Sequence, residues 1–186
     1  MLFRSSLFSG LKDIDFGGEG PETPWMITAR KLLGTREIAG KRSNSVIMSW
    51  AQKLGDSMRR IYTNDDIPWC GLFIAHVMND NNINPGLANP LGARNWLNFG
   101  ESCDPQYGAV MVFWRGSKSG WKGHVGLYVS EDDKYYHILG GNQSNSVNVT
   151  RIAKNQFLGA RWPTGYDKSG NVIRKKFDGT ITTNEE

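Results

Sequence analysis

The segment Pro68-Trp69-Cys70-Gly71-Leu72-Phe73 constrains this chain more than any other. It reads as the entrance to a helix. Phe73, Ile74 and Val77 form an apolar stripe at spacings of three and four, and Pro68 suits a helix start because it has no amide hydrogen to leave unpaired. Asp65 and Asp66 stand where caps are found. Cys70 then falls in the first turn, where backbone amides lack helical partners and the helix dipole is positive. Both effects favour the thiolate, the nucleophilic form of cysteine. A free cysteine is commonly a small core residue. A core cysteine, however, belongs in the middle of an apolar stripe, not beside a helix-opening proline. Gly71 is expected to keep the approach to the sulfur open, and Trp69 to wall a substrate cleft beside it.

A second segment, Gly123-His124-Val125-Gly126-Leu127-Tyr128, reads as a strand. Val125, Leu127 and Val129 share one face, and His124, Gly126 and Tyr128 share the other. The imidazole is therefore set apart from the apolar set, beside a glycine that leaves room. A satisfied structural histidine is the ordinary alternative. His76 is a poor partner for Cys70: six residues along one helix turn the two side chains about 120° apart. A polar cluster, Gly140-Gly141-Asn142-Gln143, follows on the segment from Lys134. Cysteine, histidine and a polar orienting group, in that order, are the parts of a cysteine hydrolase. His137 and Asn142 compete for the third place. Strand alternation lets only one of them face the site unless a bulge intervenes.

The organisation along the chain is helices first and strands later. Residues 1–22 read as a loose lead-in. Thr23-Pro24 and Gly34 bracket one helix, Ser45 to Leu54 forms a second that Gly55 ends, and a short helix covers Ala93 to Phe99. Strands follow at Ala109–Arg115, His124–Ser130, Lys134–Leu139, Val147–Ile152 and Leu158–Trp162. This order predicts an α+β domain over residues 23–165, with N-terminal helices packed on an antiparallel β-sheet. Residues 166–186 form a polar extension whose Val172-Ile173 and Thr180-Ile181-Thr182 stretches pair as a hairpin or stay disordered.

The 186 residues suffice for one domain with a real core. Apolar residues make up 39% and the mean hydropathy is −0.47, values of a soluble chain. No run of about 18 apolar residues is present, so no integral membrane segment is expected. The N-terminus lacks a sustained apolar core and cleavage site, which argues against a secretory signal. Two cysteines make no disulfide framework, and Cys103, in a loop-like Glu-Ser-Cys-Asp-Pro run, is expected to be a bystander. No metal-ligand spacing such as CxxC or HExxH is seen, so neither a metal nor another cofactor is required. The net charge of +4 suits a polyanionic envelope as well as nucleic acid. No nucleic-acid motif accompanies it, so nucleic acid is not an expected partner. Of the seven tryptophans, most should pack the core. Trp114 and Trp121 are weaker candidates for stacking on sugar rings.

Six segments occur in one order: Pro24-Trp25, Leu33-Gly34-Thr35-Arg36-Glu37, Ile67-Pro68-Trp69-Cys70, Ala93-Arg94-Asn95-Trp96-Leu97, Gly123-His124-Val125-Gly126 and Leu139-Gly140-Gly141-Asn142-Gln143-Ser144. This order resembles phage and prophage cysteine peptidases of the CHAP and NlpC-type peptidoglycan hydrolases, over roughly Pro24 to Pro163. The resemblance implies a papain-like fold and hydrolysis of an amide bond in the bacterial wall. It implies Cys70 as nucleophile, His124 as general base and Asn142 as orienting residue. The third residue of NlpC-type relatives is usually a histidine on the following strand, which keeps His137 in view. Such an enzyme would act as a monomer on peptidoglycan. It would be made in the cytoplasm and reach the wall through lysis machinery, a virion or a secretion apparatus.

Overall fold

A computed structural model describes residues 22–177. Helix α1 spans Pro24–Lys31, α2 Ser45–Lys53, α3 Asp56–Ile61 and α4 Cys70–Asp80. A 3-10 helix covers Ala93–Asn98. Six strands follow: β1 Glu101–Cys103, β2 Val110–Trp114, β3 Gly123–Glu131, β4 Tyr135–Gln143, β5 Ser146–Ala153 and β6 Phe157–Trp162. They form one antiparallel sheet in the order β1-β6-β2-β3-β4-β5. The chain is thus α+β, with helices preceding an antiparallel sheet, as the element order predicted.

Helix α4 is the keel of the molecule. Its run Cys70-Gly-Leu-Phe-Ile-Ala-His-Val-Met78 is buried on every side, as a helix apolar around its whole circumference must be. It lies between β3 and β4 on one side and α1 and α2 on the other. Trp25, Trp50 and Trp162 fill the space around this layer. The Trp25 indole packs edge-on against Trp162 and donates to the Gly108 carbonyl at 2.8 Å.

Several local expectations are corrected. The short helix expected from Ala93 is present as a 3-10 helix, while α3 and β1 are additional elements. Cys103 lies in the edge strand β1, opposite Ala160, and not in a loop. Asp65 does not cap α4. Its carboxylate accepts from the backbone amides of Ile38 and Asn44 at 3.1 and 2.7 Å, tying down the loop before α2. His76 is a packing residue: it is buried and stacked on Trp50, with ring centroids 5.1 Å apart.

The start of the β5 edge is covered by extended chain, which blunts a bare edge that would recruit other strands. Gly34, Thr35 and Glu37 exchange backbone hydrogen bonds with Val147 and Asn145 of the β5 hairpin. Inside the sheet, the chain leading into β2 stays paired with β3 as far as Tyr128, through Ala109 O and Gly108 N, and then departs. Residues 173–175 take up the vacated place, with Ile173 O accepting from Glu131 N and Glu131 O from Lys175 N, both at 2.8 Å. Glu131 also receives the Tyr128 hydroxyl and Lys154. The 166–177 part of the extension is therefore fastened to the domain, and Ile173 pairs with β3. The expected hairpin partner, Thr180–Thr182, lies outside the described residues.

Candidate active site around Cys70 and His124

Cys70 opens α4, and no side chain caps that helix end. The amides of the first turn therefore have no intrahelical acceptor and face the space around the thiol. The helix start is held by close backbone packing. A Cβ on Gly71 would fall 2.1 Å from the Pro90 carbonyl oxygen and 2.8 Å from that of Leu91. Glycine at 71 thus admits the 90–91 backbone, and does not serve to open a path to the sulfur. The same short segment reaches the start of β3. A Cβ on Gly123 would lie 2.9 Å from Arg94 Cγ and 3.6 Å from Ala93 Cβ. Residues 90–94 therefore bridge the start of α4 to the start of β3, each one residue from Cys70 or His124.

A second pair of glycines closes the other side. A Cβ on Gly141 would come within 2.8 Å of the Trp69 ring and 2.6 Å of Phe73 Cβ; one on Gly140 would come 3.2 Å from His124 Nε2. The Gly140-Gly141 dipeptide is the shared neighbour of the helix start and the histidine. Trp69 is fully buried, and its indole N–H donates to Glu37 Oε2 at 3.0 Å. It welds the helix start to β4 and presents no face to solvent, so it does not wall an open cleft.

His124 is fully buried, and its Nε2 lies 2.9 Å from Gln143 Oε1. The Gln143 amide cannot turn over without loss. Its Nε2 donates to the Ile138 carbonyl at 3.2 Å, the Asn148 carbonyl at 2.7 Å and Asn148 Oδ1 at 2.9 Å. The amide oxygen is therefore the atom offered to the ring. An oxygen only accepts, so the network assigns the proton to Nε2 and leaves the lone pair of the neutral ring on Nδ1.

Gln143, not Asn142, is thus the partner of His124. The reason is a bulge. Register between β4 and β5 slips by one residue between Gly140 and Gln143, and Asn142 takes a left-handed φ of 55°. The inserted residue reverses the alternation that would have carried Asn142 to the histidine. Asparagine tolerates that backbone better than most residues. Asn142 shapes the strand end, and Gln143 makes the contact. A Gly-Gly-Asn-Gln-Ser-Asn run, dense in residues that adopt positive φ, is the sequence signal that could have suggested a bulge.

His137 belongs elsewhere. It is fully buried, with Nδ1 2.6 Å from Ser130 Oγ, Nε2 3.0 Å from Asp132 Oδ2, and the Phe177 ring packed against it. These contacts tie the β3–β4 hairpin together and attach the tail. Cys103 is free, like Cys70, and burial pushes its thiol up to about 11, the wrong direction for a nucleophile. A cavity of about 450 Å³ lined by Met58, Ala75, Asn79, Leu87 and Pro90 runs along the later turns of α4, not at its start. No helix among the described residues is long and apolar enough to cross a membrane. No protein-family model and no curated protein matches the chain.

Proposed function

We infer that this chain is a cysteine hydrolase of papain-like fold that cleaves an amide bond of peptidoglycan. The observation that carries the reading is the locked His124–Gln143 pair. It lies across Gly140-Gly141 from the start of a buried helix whose first residue is a cysteine. A merely structural histidine gains little from an orienting amide held by three acceptors of its own; a general base gains a fixed tautomer. The choice of peptidoglycan rests on the ordered motifs that resemble CHAP and NlpC-type enzymes, and the positive net charge suits an anionic wall.

In this mechanism Nδ1 of His124 takes the proton of the Cys70 thiol, and the sulfur attacks the substrate carbonyl. The charge that develops on the carbonyl oxygen is met by backbone amides of the first turn of α4, that of Cys70 among them. The tetrahedral adduct collapses to a thioester as His124 returns its proton to the leaving amine. Water, activated by the same ring, then hydrolyses the thioester and frees the thiol. Gln143 holds the ring through both halves of the cycle. The enzyme acts as a monomer at the wall, to which lysis machinery, a virion or a secretion apparatus delivers it.

Incubation with purified sacculi, followed by mass spectrometry of the released ends, tests the reading. New amino-terminal alanine identifies an amidase and new ends within the peptide identify an endopeptidase. Release of neither refutes hydrolysis of peptidoglycan and leaves a wall-binding module or a papain-like enzyme with another substrate.

A further inference from the structure

Trp121 stands apart from the other tryptophans. Trp25, Trp50, Trp69, Trp96 and Trp162 are at most 1% exposed, and Trp114 is half-buried with its indole N–H on the Asn155 carbonyl. Trp121 is 83% exposed. Its indole offers water a flat apolar face with a polar N–H edge, the shape on which a ring stacks. It sits on the β2–β3 loop, three residues before His124.

That loop is not slack. Arg94 spends its guanidinium on it, with Nε donating to the Lys122 carbonyl at 2.8 Å, Nη1 to Lys118 at 2.9 Å and Nη2 to Ser117 at 2.9 Å. Arg115 N donates to the Lys122 carbonyl and Gly120 N to that of Ser117. Arg94 belongs to the segment that packs on Gly123 and, through Pro90 and Leu91, on Gly71. The backbone that carries Trp121 is thus fixed to the frame that holds Cys70 and His124. A platform held in place before binding loses little entropy when a ligand settles on it.

We propose that Trp121 is a glycan-binding platform of this site, on which a pyranose ring of the wall strand stacks through its apolar C–H face. This rests on the hydrolase reading for its substrate class. The stacked ring keeps its hydroxyls in water, so one exposed indole suffices, whereas a lipid surface calls for several apolar side chains at once. The loop exposes Lys118 and Lys122 and carries no acidic residue, and Lys122 Nζ lies 6.0 Å from the Trp121 ring centroid. That charge suits a glycan bearing carboxylates or phosphates.

The test uses the full chain carrying Cys70→Ala, so that binding is read without turnover. Two wall probes are titrated, purified sacculi by pelleting and soluble N-acetylglucosamine tetramer by isothermal titration calorimetry, beside a control of anionic phosphatidylglycerol vesicles. Adding Trp121→Ala should weaken binding of both about tenfold, the effect of one lost stacking platform. Trp121→Phe should recover part of it. Melting temperatures should not move, since the indole packs on little. The proposal is overturned if Trp121→Ala binds both probes like its parent, or if the parent binds neither. It is also overturned if the loss appears only with anionic phosphatidylglycerol vesicles, which would make the loop a membrane contact. Loss of binding in a chain whose Cys70 form releases no wall ends would uphold the platform and refute the hydrolase reading.

Discussion

Gln143 offers its amide oxygen to His124 Nε2 at 2.9 Å while its own nitrogen is held by three acceptors. That relationship sets the proton of the neutral ring on Nε2 and its lone pair on Nδ1, the nitrogen that would be the base in the proposed reaction. It also makes Gln143, which alternation along β4 would place on the wrong face, the partner of His124 in the candidate site.

Removing the carbonyl should therefore separate Gln143 from its neighbour. Gln143→Ala is expected to lower kcat roughly ten- to a thousandfold with little change in KM, since orientation is only part of the barrier. Asn142→Gly should stay near wild type, because glycine accepts the left-handed backbone at 142 freely. Asn142→Val should instead lose stability by about 1–2 kcal/mol. Steady-state kinetics with a denaturant melt on each variant checks this, and a larger kcat loss in Asn142→Gly than in Gln143→Ala would refute it.

The glycine contacts make a second prediction. Gly140→Ala puts a methyl 2.7 Å from Gln143 Oε1, so the amide must leave the ring. Its kcat should fall to the level of Gln143→Ala, with secondary structure intact by circular dichroism. Gly71→Ala meets backbone at 2.1 Å, which cannot swing aside. It should cost about 1–3 kcal/mol or prevent folding.

His137 is expected to matter for stability and not for chemistry. His137→Ala removes the contacts to Ser130 and Asp132 and should destabilise the domain by about 2 kcal/mol. The folded variant should keep kcat within about threefold. A folded His137→Ala protein with kcat down by orders of magnitude would return this residue to the active site.

His76 gives the fold an acid-sensitive element. Burial against Trp50 lowers its pKa to about 4 from an ordinary 6.5. Between those values the unfolded chain binds a proton that the folded one refuses, so stability rises with pH across this window. The contribution is complete above about pH 6.5 and lost as pH falls towards 4, up to about 3 kcal/mol in all. His76→Phe keeps the stack and cannot titrate. The fall in unfolding free energy between pH 7 and pH 4.5 should be smaller in that variant, and equal falls would contradict this assignment.

The sequence made the broad architecture legible because its signals are local. The stripe of α4, the alternation of β3 and the glycine-bounded runs each report on their own element. Cys70 at a helix start and His124 on a strand could be read the same way. The bulge at Asn142 could not, since alternation assumes a regular ladder, and one inserted residue exchanges the faces of its neighbours. Nor could the tasks of Gly71 and Trp69, which depend on Pro90 and Glu37, 19 and 32 positions away in the chain. Asp65 looks like a cap by sequence position, but its partners are amides at 38 and 44. Such pairings over long separations are set by tertiary packing.

Competitive alkylation tests the central claim, that His124 activates Cys70, without needing any substrate. Cys103 is the more exposed of the two thiols and Cys70 is 5% exposed, so access alone favours Cys103. Chemistry favours Cys70. With limiting iodoacetamide at pH 6, peptide mass spectrometry should find Cys70 modified at least tenfold faster than Cys103 in the wild-type protein. The excess should vanish in His124→Ala and shrink in Gln143→Ala. Faster modification of Cys103, or a Cys70 rate that His124→Ala leaves unchanged, would contradict the account.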